Sequence, residues 1–552
     1  MFHILQALST EQQAEVLTRR LIQLLSYNGT IGETEKADFL KEIICSFPYF
    51  KENESFVWEQ PISNDPLGRK NIFALVRGQS ECSKTVLYHA HVDTVGIEDY
   101  GALHDIAHDP DVLEEFFKSY PADAEVQADA GSGNWMFGRG ALDMQSGIAV
   151  HLVNLLHFSE QRDQLPGNLL VLFNPDEESQ HVGIRAALTE LTRLETEQNL
   201  DFIAAINNDF ISPLHSGDQT RYIYTGAAGK LLPCFSIFGR EAHVGDSLSA
   251  IDPTLIAAEL NLAINANLDL TEYFQNELTL PPSCLYLKDD KQIYDVQTAV
   301  SCGIYFNHFI YEKSPKEILT QLVDVVGNRC ETLEKKLAQT YTEHRKRNGL
   351  PEREISWDIE VITFGEYVEK LEEMNLHPLK AVEAALEHFS EKDLDERMLA
   401  FKIVEALHQL DPEKKPRVIL FFAPPFIPAN RLPVESNKGQ SLLTTIEAVL
   451  DEVHQETKET FELRKYFPYL ADGSFLSFNG TEEDISSIEN NFPAMHKLFA
   501  LPLGDMKALN IPSINLGVYG KSGHKWTERV YKPYTFKILP HLIRKMTKRL
   551  LE

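Results

Sequence analysis

The sequence predicts an α/β protein whose main domain is a sheet with crossover helices, interrupted by a smaller α+β domain. Three observations predict this. Short apolar, β-rich runs alternate with helical patterns from the start to about residue 210, the mark of a sheet joined by crossover helices. The same rhythm returns near the carboxyl end. Between them lies a stretch of different character, in which strands and amphipathic helices follow one another as β-α-β-α-β. The division is therefore 1–214 for the first part of the main domain, 215–365 for the insert, and 366–552 for a helical connection plus the second part.

Thr85–Tyr88, Asn168–Phe173 and Phe202–Ile206 are continuous apolar runs, as expected of strands covered on both faces. Ile148–Phe158 reads as a buried helix between two of them. In the insert, Lys230–Gly239 is a strand, and Asp252-Pro253 supplies an N-cap and a first-turn proline for an amphipathic helix to about Asn267. Ala299–Ile310 is the next strand. After Ser314-Pro315 a long helix carries the stripe Leu319, Leu322, Val326, Cys330, Leu333 and Leu337, spaced by three or four residues. Glu354–Thr363 closes the insert as a strand. Tyr367 to Pro416 reads as charged helix. Arg417–Phe422, a helix over Ser441–Glu456, and Ser513–Val518 restore the first rhythm.

Composition narrows the function. The 552 residues are 43% hydrophobic and 24% charged, which is ordinary for a folded protein. A net charge of −30 repels phosphate backbones and anionic lipid, so neither nucleic acid nor a membrane is an expected partner. The six cysteines are scattered with no CxxC pair, which suits a reducing compartment and a cytoplasmic protein. The segment Met1–Thr10 has no basic region followed by a long apolar one, so no signal peptide is expected. The longest apolar stretch, Val418–Ala429, is broken by prolines and falls short of the ~20 residues of a membrane helix.

Potential metal ligands fall at strand exits. His89-Ala-His91-Val-Asp93 follows one strand, Asn174-Pro-Asp176-Glu177-Glu178 a second, Asn207-Asn208-Asp209 a third, and Gly517 to His524 a fourth. Open α/β sheets bind ligands beyond the carboxyl ends of their strands, so these tips should meet at one edge. The glycine-rich loop Gly138–Gly147 adds Asp143 and lacks the GK[ST] of a phosphate loop. Taken singly, each is ordinary polar surface; their joint occurrence argues for a cation site. Carboxylates and imidazoles without thiolates suit zinc, manganese or cobalt, with two ions where a carboxylate bridges.

The motifs HAHVDTVG, GRGALDMQSG, NPDEESQHVG, the Asn-Asn-Asp209 exit, FGREAHVGD and GKSGHKWTERV resemble, in order, those of the M20 metallopeptidases. Length and the long middle region are most similar to that family's arginine-utilisation branch. The resemblance implies a metallopeptidase-like α/β/α catalytic domain with an inserted α+β lid and dimerisation domain. It implies two divalent ions, zinc first and manganese or cobalt as alternatives, bridged by Asp143. His91 and Asp209 would complete one shell, and Glu178 and His524 the other. Asp93 would orient His91, and Glu177 would be the general base. His243 would help stabilise the oxyanion, often from the partner subunit of a homodimer formed through the lid. The substrate would be a small peptide or an N-acyl amino acid, hydrolysed at its amide bond in arginine or amino-acid catabolism. A catalytically idle binding or regulatory protein is the alternative, and the complete set of ligands plus Glu177 argues against it.

Three departures bear on this. Gln145 stands where lysine is common. The family's GGTDxR element, whose arginine grips a substrate carboxylate, is replaced by Tyr469-Leu-Ala-Asp472-Gly-Ser474 with no arginine. Aspartate at 209, where carboxypeptidase and deacylase members more often have glutamate, leans toward aminopeptidase- or dipeptidase-like chemistry.

Overall fold

The computed structural model of the chain describes residues 2–78, 82–389, 394–469 and 471–552. The chain forms two compact units. Met1–Ala228, Ala429–Phe478 and Pro502–Glu552 make the first, and Gly229–Pro428 with Asn479–Leu501 the second.

An eight-stranded sheet organises the first unit. Its strands lie in the order Val57–Pro61, Lys70–Arg77, Asn168–Asn174, Lys84–His91, Asp201–Asn207, Ser513–Asn515, Arg221–Tyr224 and Phe461–Arg464. Lys84–His91 runs parallel to both of its neighbours, and Asp201–Asn207 runs parallel to Ser513–Asn515. Their register aligns the carboxyl ends: His91 pairs with Asn174, His89 with Asn207, and Asn515 with Asn207. Four strand exits therefore open on the same edge.

The central strands are mostly apolar between their ends because both faces are covered. Val86, Tyr88 and Ala90 join the core formed with helices Gln145–Glu160 and Leu539–Leu551. Leu87 is equally buried on the opposite face. Asn71, on that opposite face, holds the start of helix Val182–Gln198 through a 2.8 Å bond to the Gly183 carbonyl. Helix Gln145–Glu160 is buried on nearly every side, with only His157 and Glu160 reaching partial or full exposure. Its first turn packs tightly at Gly147, where a Cβ would lie 2.7 Å from Asn208 Oδ1.

The second unit has a sheet ordered Ser283–Asp289, Ser301–Ile310, Pro233–Phe238, Arg417–Phe422 and Glu360–Thr363. Helices Pro253–Ile264 and Pro315–Arg347 pack together, and the shorter one also lies against the strands. The expected caps form: Asp252 accepts from the Thr254 N–H at 2.8 Å, and Ser314 and Glu317 form a capping box. Of the predicted stripe, Leu319, Leu322, Val326, Cys330 and Leu333 are buried, while Leu337 is half-buried.

Unit boundaries depart from the sequence expectation at both ends of the insert, for reasons visible in the pairing. Residues 215–228 stay with the first unit because Arg221–Tyr224 pairs with Phe461–Arg464 and Ser513–Asn515. Arg417–Phe422 is not a strand of the main sheet. It pairs antiparallel with Pro233–Phe238, placing Ile419 opposite Ser236, and parallel with Glu360–Thr363. The charged helical stretch goes with it. Tyr367, Leu371, Ile403 and Leu407 form one core with Phe238, Ile419 and Phe421; residues 390–393 of that stretch lie outside the described residues. The strand expected over Glu354–Thr363 is confined to Glu360–Thr363, and Ser283–Asp289 is a strand that the sequence reading does not predict.

Candidate metal centre

Among the described residues, groups able to bind a cation gather in three overlapping sets at the carboxyl edge of the first unit's sheet. They are His91, Asp143 and Asp209; Asp143, Glu178 and His524; and His91, Glu177 and Glu178, with ligand atoms in each set within 4.8 Å of one another. Asp143 is common to the first two and divides its oxygens between them. Oδ1 lies 3.0 Å from His91 Nε2, and Oδ2 lies 2.9 Å from His524 Nε2. The same His524 nitrogen is 3.0 Å from Glu178 Oε1.

Backbone and neighbours hold these side chains in place. His91 Nδ1 faces the Asp93 carbonyl at 3.2 Å and the Asp93 carboxylate at 3.5 Å. Two acceptors there keep a proton on Nδ1, so Nε2 is the atom offered to a cation. The Asp93 carboxylate also accepts from the Glu177 and Glu178 N–H groups at 3.1 and 3.0 Å, tying the first and second strand exits together. Asp176, just before them, has a φ of 71°, and His524 a φ of 63°. Left-handed non-glycine residues cost about 1–3 kcal/mol and persist where the surroundings over-determine them. Arg69, Asn28 and the Val182 N–H all bond the Asp176 carboxylate. Asp209 is fixed by close approach: a Cβ on Gly517 would lie 2.2 Å from the Asp209 carbonyl, which accepts from Asn515 Nδ2 at 3.1 Å.

Charge in this cluster is unbalanced. Burial pushes the Glu177 carboxyl well above its ordinary range, His91 opposing and the Glu178, Asp472 and Asp209 charges adding to the rise. Burial and the Asp143 charge likewise raise Asp209 and Glu178, with His524 opposing the rise at Glu178. Burial disfavours a charge on His524, yet its bonds to Asp143 and Glu178 outweigh that and lift it to about 11. Buried acids that repel one another and imidazoles driven to the charged form are what a cation would relieve. The donor set, all oxygen and nitrogen, fits zinc, manganese or cobalt. Among the described residues, Glu177 Oε1 is buried without a hydrogen-bond partner, and Phe210, next to Asp209, packs with its ring centroid 4.8 Å from that of the exposed Tyr469.

All five expected ligands, with Asp93 and Glu177, thus come together. His243 lies in the second unit, exposed, with its Nδ1 accepting from the Gly245 N–H at 3.0 Å. That bond leaves Nε2–H as the outward donor of the neutral ring. Several participants were not anticipated. Asn28 bonds both Asp93 and Asp176, and no local pattern marks it. Asp472 accepts from Asn174 and lies 2.9 Å from His181 Nδ1; it stands in the segment singled out for its missing arginine. Gln145 is buried, accepting from Lys36 Nζ at 2.7 Å and donating to the Val92 carbonyl at 3.2 Å.

Buried carboxylates meeting the buried imidazole of His91 and the more exposed one of His524 at the edge of an α/β sheet define a metallohydrolase-type centre. The chain belongs to the peptidase family M20/M25/M40, which matches residues 87–481, and is a hydrolase of that metallopeptidase type. It is 54% identical to Protein RocB of Bacillus subtilis over 541 residues, covering 98% of this chain and 95% of the relative. That similarity accords with the branch suggested by the sequence. An uncharacterized protein of the same organism, YqjN, is 32% identical over 538 residues, covering 97% and 95%. The fold is similar to that of a tripeptidase from Staphylococcus aureus (TM-score 0.50, 14% identity, 98% of both chains). It is also similar to that of an M20 family metallo-carboxypeptidase from Sulfolobus solfataricus (TM-score 0.50, 11% identity, 98% of this chain and 100% of that one).

Proposed function

We propose that the protein hydrolyses the amide bond of a small peptide or an N-acyl amino acid, in arginine or amino-acid catabolism, using two divalent ions. His91, Asp143 and Asp209 would hold one ion, and Asp143, Glu178 and His524 the other, with zinc the first candidate and manganese or cobalt the next. When bound, such ions supply Lewis acidity toward the scissile carbonyl and acidify water in the site. Glu177 accepts the proton of the attacking water and passes it to the departing amine. The observation that carries this role is its buried Oε1, which has no hydrogen-bond partner among the described residues while Glu178 and Asp143 are bonded to His524. Asp93 fixes the ring of His91. His243 donates its outward N–H to the developing oxyanion, delivered within the chain or from the partner subunit of a homodimer. The aromatic wall of Phe210 and Tyr469 supports binding of an apolar part of the substrate.

The test is to strip the protein with chelator, restore zinc, manganese or cobalt, and screen dipeptides, tripeptides and N-acyl amino acids, with arginine-containing members of each. Metal-restored hydrolysis of one class supports the reading. Failure to bind any of the three ions sinks it. The six cysteines are all free, which supports a cytoplasmic setting. No helix among the described residues is long and apolar enough to cross a membrane.

A further inference from the structure

Glu528 is completely enclosed, four residues beyond His524, and has no place in the chemistry above. Its surroundings are specific. Oε1 accepts from the Leu142 N–H at 2.9 Å and from the Asp143 N–H at 3.2 Å. Oε2 accepts from Arg139 at 2.7 Å, and both partners of this pair are shielded from solvent. The Glu528 carbonyl in turn accepts from the Gly138 N–H at 3.2 Å. Arg139 reaches further, donating to the Gly96 carbonyl at 2.9 Å and to Asp99 at 2.7 Å. One buried ion pair therefore joins three segments: the Gly138–Asp143 loop, the loop that carries His524, and the segment around Gly96.

We infer that Glu528 and Arg139 are positioning residues that set where Asp143 stands relative to His524. Asp143 has to present one oxygen toward His91 and the other toward His524, so a rotation or shift of its backbone spoils both sides together. Glu528 bonds that backbone directly from the same loop as His524, which locks the two ligands to one frame. A buried carboxylate is costly unless its lone pairs are used and its charge is matched. Here two backbone N–H groups use one oxygen, and Arg139 matches the charge. Groups that orient metal ligands without touching the metal commonly change affinity about 10–100-fold when altered.

This inference rests on the metal-site reading above, and its test separates the two. Zinc affinity of the whole chain is measured by competition with a chromophoric chelator, and the cobalt-loaded protein by its visible absorption. Glu528→Gln keeps an oxygen for the backbone N–H groups but turns an amide N–H toward Arg139. The expected result is zinc binding weakened about 10–100-fold at both sites, an altered cobalt spectrum, and unchanged far-ultraviolet dichroism. Adding Arg139→Met to Glu528→Gln removes the donor–donor clash and should recover part of the affinity, which simple loss of stability would not do. If Glu528→Gln fails to fold, Glu528→Asp decides by the same titration, since it keeps the charge but shortens the reach. Wild-type zinc affinity and cobalt spectrum in a folded variant overturn the positioning role. A wild-type protein that binds no divalent ion overturns the metal-site reading itself.

Discussion

At the scale of single residues, the adjacent Glu177 and Glu178 show how one dipeptide is divided between two tasks. Their N–H groups are held by the same Asp93 carboxylate, yet Glu178 bonds His524 while Glu177 Oε1 has no partner among the described residues. Glu177→Gln should retain both ions and lose turnover by about 10²–10⁴-fold, because an amide cannot accept the proton. Metal content by elemental analysis and kcat on the true substrate check this, and activity within a few-fold of wild type would remove Glu177 from the role. Tyr469→Ala, beside Phe210, should raise KM with little change in kcat if the ring only binds substrate; steady-state kinetics on the same substrate measure both, and a fall in kcat with KM unchanged would contradict this. His91, Glu178 and Asp209 were legible as cation-binding candidates because each lies at or just beyond the end of an apolar strand of one sheet, whereas Asp143, in a glycine-rich loop before a helix, and the division into two shells came from the family resemblance. Asn28 and the Lys36–Gln145 pair were not legible, since contacts between segments distant in sequence leave no spacing to read.

At the scale of elements, apolar runs located strands well but did not say which sheet each would join. Arg417–Phe422 is as apolar as Asn168–Asn174, and only its pairing with Pro233–Phe238 assigns it to the second unit. Ser283–Asp289 is not marked by its sequence because leucines occupy its exposed positions, so Cys284 to Leu287 is an unbroken apolar run without the polar–apolar alternation of a half-buried strand. That exposure has a consequence. It is the edge strand of its sheet, with Leu285 and Leu287 exposed by 55% and 44%, and uncovered apolar edges invite pairing with another chain. A homodimer through this edge is expected, and Leu285→Glu with Leu287→Glu should turn it into a monomer in sedimentation velocity. Mixing Glu177→Gln with His243→Ala then tests delivery of the histidine. Recovered activity shows His243 acting across subunits, and a dimer that exchanges subunits without recovery excludes it.

At the scale of the whole molecule, each unit buries a histidine that must stay neutral, and acid stability should register both. His151 stacks on Tyr88 at 4.6 Å in the first unit, and burial lowers it to about 3. His308 lies on the buried side of Ser301–Ile310 in the second, where burial lowers it to about 4. Above pH ~6.5 neither folded nor unfolded imidazole is charged, and these groups add no pH dependence. Below it the unfolded chain takes up protons that the folded chain refuses, so stability falls as pH drops toward 4, by at most ~1.4 kcal/mol per pH unit for each histidine. Buried acids with raised pKa, Glu177 and Asp209 among them, push the other way when no cation is present. The informative quantity is therefore the difference between wild type and a variant, not the absolute curve. His151→Leu and His308→Leu should each lose less stability than wild type between pH 7 and 5 in thermal melts of metal-loaded protein. A variant whose melting temperature falls in parallel with wild type over that window would mean that the histidine it replaced is protonated in the folded chain.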